Sequence, residues 1–228
     1  MRVTVGFTPG DHVAAPVGIV IDVLRATSTI CQALDSGYES VTCVGEIEDA
    51  RALGGPGVKL AGERHNVLID GFDFGNSPRE LVTPPAEPTR LVLTTTNGTR
   101  ALLVAAARCE TVLVASLLNL SAVIEAARGD SDVAIFCAGV EGSFALDDAY
   151  VAGRIAAGLG GTTDDSALAA IRLASAFATT EDGIGGGSSA ANIRNANLDD
   201  DIPWCARESV VGLVPRVTER SATAVVLT

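Results

Sequence analysis

Asp22 lies at the end of an expected strand over residues 17–23, and Arg25, Thr27 and Ser28 follow where it would turn into a helix. A carboxylate at that point is a natural ligand for a hard cation such as Mg2+, which prefers oxygen. Arg25 offers a planar fork matched to phosphate oxygens, and helix-start amides with the Thr27 and Ser28 hydroxyls can hold an anion. The plainer reading is an aspartate that caps a helix and pairs with Arg25. A second turn, Thr94-Thr95-Thr96-Asn97-Gly98-Thr99, is more polar than a cap requires. Gly98 permits positive φ and leaves backbone amides open, which suits an anion. A hydroxyl-braced turn on a helix start is the structural alternative.

Three further segments carry chemistry-bearing residues. Ala61-Gly62-Glu63-Arg64 sets opposite charges side by side after a strand, as a surface pair also would. Gly71-Phe72-Asp73-Phe74-Gly75-Asn76-Ser77-Pro78 flanks an aspartate with aromatics, and Asn76 and Ser77 then supply donors in a turn. Cys137-Ala138-Gly139-Val140-Glu141-Gly142 ends a strand with a glycine-framed carboxylate. Asp147 and Asp148 either join Glu141 or serve the first turn of a helix. Cys137 reads as a buried thiol, because a Cys-x5-Arg phosphatase loop needs arginine where Ser143 stands.

Other chemistries are excluded. Lys59 is the only lysine and has no phosphate-loop context. Asp22 is followed by Val23 and Leu24, so no Asp-x-Asp pair exists there. With only His12 and His65, a multi-histidine zinc site cannot form. The glycines of 183–187 follow no clear strand and are weak evidence for dinucleotide binding.

The elements that must position these residues are legible as alternation. Buried strands are expected over 17–23, 41–44, 58–60, 91–94, 112–115 and 133–137. Helices are expected over 27–36, 47–53, 99–108, 120–128, 146–159 and 166–177. Continuous apolar strands separated by helices predict an α/β fold, a three-layer α/β/α arrangement with a mostly parallel sheet. The prolines of 82–89 mark a linker, and the Gly- and Ser-rich stretch 179–192 is expected to be a mobile loop. Residues 19–29 align with 91–101, and Glu39-Ser40-Val41 with Glu110-Thr111-Val112, at nearly the same spacing. Ala61-Gly62-Glu63 then echoes Ala138-Gly139-Val140-Glu141. We read an internal duplication of a β-turn-α-β-α unit within a single domain over 1–228. Its halves fall at about 1–83 and 89–165, and a helical segment follows over 166–228. Duplication should bring the Asp22 and Thr96 turns to one cleft.

Composition bounds the partners. The 228 residues are 47% hydrophobic and 19% charged, which rules out a disordered chain. A formal net charge of −12 repels nucleic acid and anionic membranes, so neither is an expected partner. The amino-terminal residues lack the apolar stretch of a secretory leader, no apolar run is long enough to span a bilayer, and the five cysteines contain no CxxC pair. A cytoplasmic protein with reduced, buried thiols is expected.

Taken in order, the Ile21–Thr29, Ala61–Arg64, Gly71–Pro78, Thr94–Ala101 and Cys137–Gly142 motifs resemble those of the 2-phosphosulfolactate phosphatase family. The resemblance covers nearly the whole chain. It implies an α/β/α homodimer and Mg2+-dependent hydrolysis of 2-phospho-3-sulfolactate to 3-sulfolactate, a step towards coenzyme M. One segment departs from it: Gly187-Ser188-Ser189-Ala190-Ala191-Asn192 stands where family members carry a Ser-x-His-Gly-like stretch. Residue reading and resemblance together place Mg2+ on acidic side chains from Asp22, Glu63, Asp73 or Glu141, with Asp22, Arg25, Glu63 and Glu141 as the catalytic set. Arg25, Thr27, Ser28, Arg64, Asn76, Ser77, Thr95, Thr96, Asn97, Gly98 and Thr99 would hold a small anionic phosphorylated substrate. Attack on phosphorus by water and a phospho-aspartyl intermediate on Asp22 both remain open. So do two other functions: an Mg2+-dependent phosphomonoesterase for another small organic phosphate, and a catalytically silent anion-binding protein.

Overall fold

The computed structural model describes residues 1–129 and 131–228. The chain opens with β1 (Arg2–Gly6) and β2 (Val17–Ile21), then α1 (Ala26–Asp35), β3 (Ser40–Val44), α2 (Ile47–Ala52), β4 (Val58–Arg64) and β5 (Val67–Leu68). A short 3-10 turn, Pro78–Leu81, precedes β6 (Arg90–Thr94), α3 (Gly98–Arg108), β7 (Thr111–Ala115), α4 (Leu120–Ala127) and β8 (Val133–Cys137). There follow α5 (Leu146–Leu159), β9 (Thr162–Thr163), α6 (Asp165–Ala174), α7 (Thr180–Gly185), α8 (Ser188–Asn195) and α9 (Asp201–Cys205). The hairpin β10 (Val217–Arg220) and β11 (Ala224–Leu227) ends the chain.

The apolar strands do what their composition dictates. β2, β7 and β8 carry almost no polar residues and lie side by side in a parallel sheet ordered β7-β2-β8-β1-β9. Alternation sends Ile19, Ile21, Leu113, Val133 and Ile135 into one core with α4, α5 and α6, while Val20, Val112, Val114 and Phe136 face α1 and α3. Helices therefore cover both faces, as the three-layer expectation requires. A second sheet, ordered β10-β11-β3-β6-β4-β5, packs Val41, Cys43, Leu91 and Leu93 onto the other side of α1 and α3. Its far face is covered by α2, with Ala50 against Val44 and Val92. The α1 and α3 layer is thus shared by two sheets, which local periodicity could not show.

The same topology is traced twice. β2 leads through α1 to β3 in the second sheet, and β6 leads through α3 to β7 in the first. β2 is flanked by β7 and β8, with Ile21 opposite Ala115 and Cys137. β6 is likewise flanked by β3 and β4, with Leu93 opposite Cys43 and Ala61. Each stretch thus lends its middle strand to the sheet that holds the other stretch's first strand.

Two expectations are corrected. Residues 179–192 are not a loop: they form α7 and most of α8. Thr179 caps α7 by accepting from Asp182 N at 3.0 Å, and Ile184, Ala190 and Ile193 are buried in the core. Gly183 serves packing rather than mobility, since a Cβ there would lie 2.5 Å from the Tyr150 ring. Nor is 166–228 helical throughout, because β10 and β11 return to pair with β3. All five cysteines are free and buried, and no helix among the described residues is long and apolar enough to cross a membrane.

Candidate active site

A cavity of about 370 Å³ opens beyond the carboxyl ends of β2, β4, β6 and β8, where ligands bind in open α/β sheets. The α1 turn supplies Asp22, Leu24 and Arg25, and the α3 turn supplies Thr96 and Asn97. Both turns reach one cleft, as the repeat predicts. Gly98 makes their approach feasible: a Cβ on it would stand 2.5 Å from the Ala26 Cβ and 2.7 Å from Asp22 Oδ2. Glu63, Asn76 and Glu141 complete the set of sequence-predicted residues that line the cavity.

Asp22 is 8% exposed and its Oδ1 accepts from Ala26 N at 3.1 Å, so it braces the start of α1 while facing the cavity. Burial, with the charges of Asp147 and Glu63, pushes its carboxyl up to about 7, against the Ala26 N–H bond and the Arg25 charge. Asp147 and Asp148, in the first turn of α5, lie behind it. Asp148 accepts from Val23 N and Gly139 N, each at 3.0 Å, and so ties the first turn to the end of β8. Asp147 accepts from Ser189 Oγ at 2.8 Å. Burial raises both, Asp147 to about 6, and Asp148 is raised further by its two acidic neighbours.

Arg25 does not pair with Asp22. Its Nη1 donates to Asp201 Oδ2 at 2.6 Å and its Nη2 to Asn66 Oδ1 at 3.1 Å. Asp201 also accepts from Ser77 Oγ at 2.6 Å, which links Arg25, α9 and the Asn76-Ser77 turn in one buried network. Glu63 is a brace for the second turn: its Oε1 accepts from Thr96 N and Oγ1, and its Oε2 from Asn66 N. Asn97 Oδ1 accepts from Glu141 N at 3.1 Å, which directs the Asn97 NH2 elsewhere. Glu141 is largely exposed, with Oε1 3.9 Å from His65 Nδ1 across the mouth. The Asn76 side-chain oxygen Oδ1 has no hydrogen-bond partner among the described residues, although Asn76 is only 6% exposed.

The remaining predicted residues lie behind the lining. Thr27 Oγ1 donates to Asp22 O, Ser28 Oγ donates to Val23 O, and Thr99 N donates to Thr95 Oγ1. Arg64 spends its donors on Glu63 O, Gly45 O and Thr94 Oγ1. Asp73 is not brought to the cavity: it pairs with Lys59 at 2.7 Å and accepts from Leu60 N. Cys137 is buried, with its thiol held well above the ordinary range by burial and by Asp148 and Asp147. The sequence reading missed His65, Asn66 and Val67 at the β4–β5 hairpin, and Ser189, Asn192, Asn195 and Ala196 from α8. The three-, three- and one-residue spacing of the α8 set was the available signal, once that stretch is read as a helix.

Among the described residues no three His, Cys, Asp or Glu side chains converge as a metal cluster. Mg2+ nonetheless suits this donor set, because it is commonly held by one or two carboxylates with waters and substrate phosphate. Asp22 is the buried carboxylate with an oxygen free of N–H donors, and Glu141 an exposed one lining the same cavity.

Comparison with known proteins gives one answer. The family model described as 2-phosphosulpholactate phosphatase matches residues 4–220. A probable 2-phosphosulfolactate phosphatase of Thermus thermophilus is 36% identical over 233 residues, 99% of this chain and 98% of its own length. One from Thermotoga petrophila is 38% identical over 93% of this chain and 94% of its own. The 2-phosphosulfolactate phosphatase of Methanothermobacter thermautotrophicus is 38% identical over 86% of this chain and 84% of its own. With matches of this extent and a cleft built from the expected turns, the chain belongs to the 2-phosphosulpholactate phosphatase family, a family of phosphoric monoester hydrolases.

Proposed function

We propose that this protein hydrolyses 2-phospho-3-sulfolactate to 3-sulfolactate and phosphate in an Mg2+-dependent reaction, as a cytoplasmic homodimer serving coenzyme M biosynthesis. The observation that carries the chemistry is the convergence of the Asp22–Arg25 and Thr96–Asn97 turns on one cavity. Arg25 is fixed on two sides by Asp201 and Asn66, so its remaining N–H groups are pre-aimed at an anion. Asn97, oriented through its oxygen, adds a neutral donor. Asp22 and Glu141 would hold Mg2+, with Glu63 shaping the turn beside them. Bound there, the ion neutralises charge on the phosphoryl oxygens. Water's oxygen bonds phosphorus as the ester bond breaks, and the ester oxygen leaves as the 2-hydroxyl of 3-sulfolactate after taking a proton. Acid quenching of a single turnover separates this from a phosphoryl group carried on Asp22, since only the latter leaves phosphate on the chain.

The test is phosphate release from 2-phospho-3-sulfolactate and a panel of other phosphoesters, with Mg2+ and with EDTA. Asp22→Asn keeps the shape and removes the charge. It should lower metal-dependent turnover by roughly 100-fold or more, with circular dichroism and Tm near those of the unmodified protein. Metal-independent background rates throughout the panel would overturn the enzymatic reading. A fully active Asp22→Asn variant would reduce Asp22 to a brace of α1.

A further inference from the structure

The cavity has a wall that the phosphoryl chemistry leaves unused. Ser189, Asn192 and Asn195 come from one face of α8, with Ala196 at its C-cap, while the other face buries Ala190 and Ile193 in the core. The helix is therefore a fixed wall rather than a flap. Ser189 is spent on Asp147, and Arg194 donates to Gly185 O at 2.9 Å behind the wall. The side-chain amides of Asn192 and Asn195 make no hydrogen bond among the described residues, and both residues line the cavity. Elsewhere in the lining, Thr96 is committed to Glu63, and the Arg25 donors not held by Asp201 and Asn66 are those assigned above to the phosphoryl group. The carboxylates of Asp22, Glu63 and Glu141 meanwhile make the cavity hostile to a second anion unless fresh donors face it.

We infer that the Asn192–Asn195 face of α8 is the subsite for a second oxyanion on the substrate, a sulfonate or carboxylate remote from the phosphoryl group. This rests on the phosphatase reading above and assigns the part of the cavity that reading leaves open. Amide NH2 groups donate to anionic oxygens without adding charge, and such contacts discriminate strongly, because the analogue lacking the group leaves them unpaired. The three hydroxyls of the Thr94–Thr96 turn, which the sequence marked as suited to an anion, are taken by Gly45, Thr99 and Glu63.

The test compares the unmodified protein, the double variant Asn192→Ala/Asn195→Ala, and Asn192→Asp. kcat/KM is measured on 2-phospho-3-sulfolactate and on phenyl phosphate, and the Tm shift is measured with 3-sulfolactate and with inorganic phosphate. The double variant is expected to lose at least about tenfold more kcat/KM on the sulfonated ester than on the aryl ester, about 1.4 kcal/mol of discrimination. Asn192→Asp should lose more, since a carboxylate faces the anion, and should weaken the shift with 3-sulfolactate more than that with phosphate. Both positions are on the exposed side of α8, so folding should survive. Equal losses on the two esters, or an unchanged 3-sulfolactate shift in Asn192→Asp, would overturn the subsite. Absence of any 3-sulfolactate shift in the unmodified protein overturns it too. No phosphate release from either ester overturns the phosphatase reading, while the shifts still decide the subsite.

Discussion

Arg25 and Asp201 are 176 positions apart in the chain yet form the most buried ion pair of the site, with side chains 2% and 1% exposed. A pair this deep recovers its desolvation only with further hydrogen bonds, and Asn66 and Ser77 supply them. Removing one partner strands the other's charge. Asp201→Ala is therefore expected to cost about 3–5 kcal/mol of stability. Chemical denaturation should show a fall in midpoint with little change in slope. A loss under about 1 kcal/mol would mean that water reaches Arg25 and that the pair is not sealed. Arg25 was legible as a chemical residue from its place after a strand, but its partner was not. Nothing local to Asp201 announces a guanidinium, because the contact exists only once α9 closes over the α1 turn. Asp73 failed in the opposite sense: its aromatic neighbours made it conspicuous, and its actual partner is Lys59 on β4.

Helix α6 shows how much a single cap contributes at the scale of an element. Asp164 Oδ1 accepts from Ala167 N at 3.0 Å and from Ser166 Oγ at 2.6 Å, and Ser166 Oγ in turn accepts from Val5 N. The cap thus fastens α6 to β1 as well as starting the helix. Burial raises the Asp164 carboxyl, but the hydrogen bonds from Ser166, Thr4 and the backbone outweigh it and hold the group below its usual range. A lowered folded value stabilises above the unfolded carboxylate range and is lost as pH falls through it. Asp164→Ala should cost about 1 kcal/mol at neutral pH. The gap between variant and parent should narrow as pH falls below about 4, the unfolded carboxylate value. A pH-independent difference in denaturation midpoint would show that the cap's charge contributes nothing. The legible elements were those decided by their own side chains: every expected strand and helix is present, within a few residues. α7 and α8 were misread because Gly and Ser disfavour isolated helices, whereas Ile184, Ala190 and Ile193 gain core contacts that composition does not display. β1, β10 and β11 are four or five residues long and partly exposed, too short for alternation to stand out.

At the scale of the whole molecule, the strand exchange explains why one cleft collects residues from both halves. The first strands of the two halves lie in different sheets but feed helices of one shared layer, so α1 and α3 start side by side and their turns face together. The duplicated motifs carried that much. The α8 wall and the sharing of the helical layer depend on the path of the second half of the chain and were not foreseeable from repeats. The same molecule carries a formal net charge of −12, with Arg25 the buried cation in its cleft. A multiply charged phosphoester therefore meets repulsion on approach and attraction only at contact. The two act over different distances: the Debye length shrinks from about 30 Å at 0.01 M salt to about 8 Å at 0.15 M, while contacts inside the cleft are screened far less. Raising inert salt at fixed Mg2+ over that interval should increase kcat/KM, leave kcat nearly flat, and do so more for 2-phospho-3-sulfolactate than for phenyl phosphate. The usual steered encounter gives the reverse slope. A fall in kcat/KM with salt would show that the cleft's own positive potential reaches beyond the mouth and governs encounter despite the net charge.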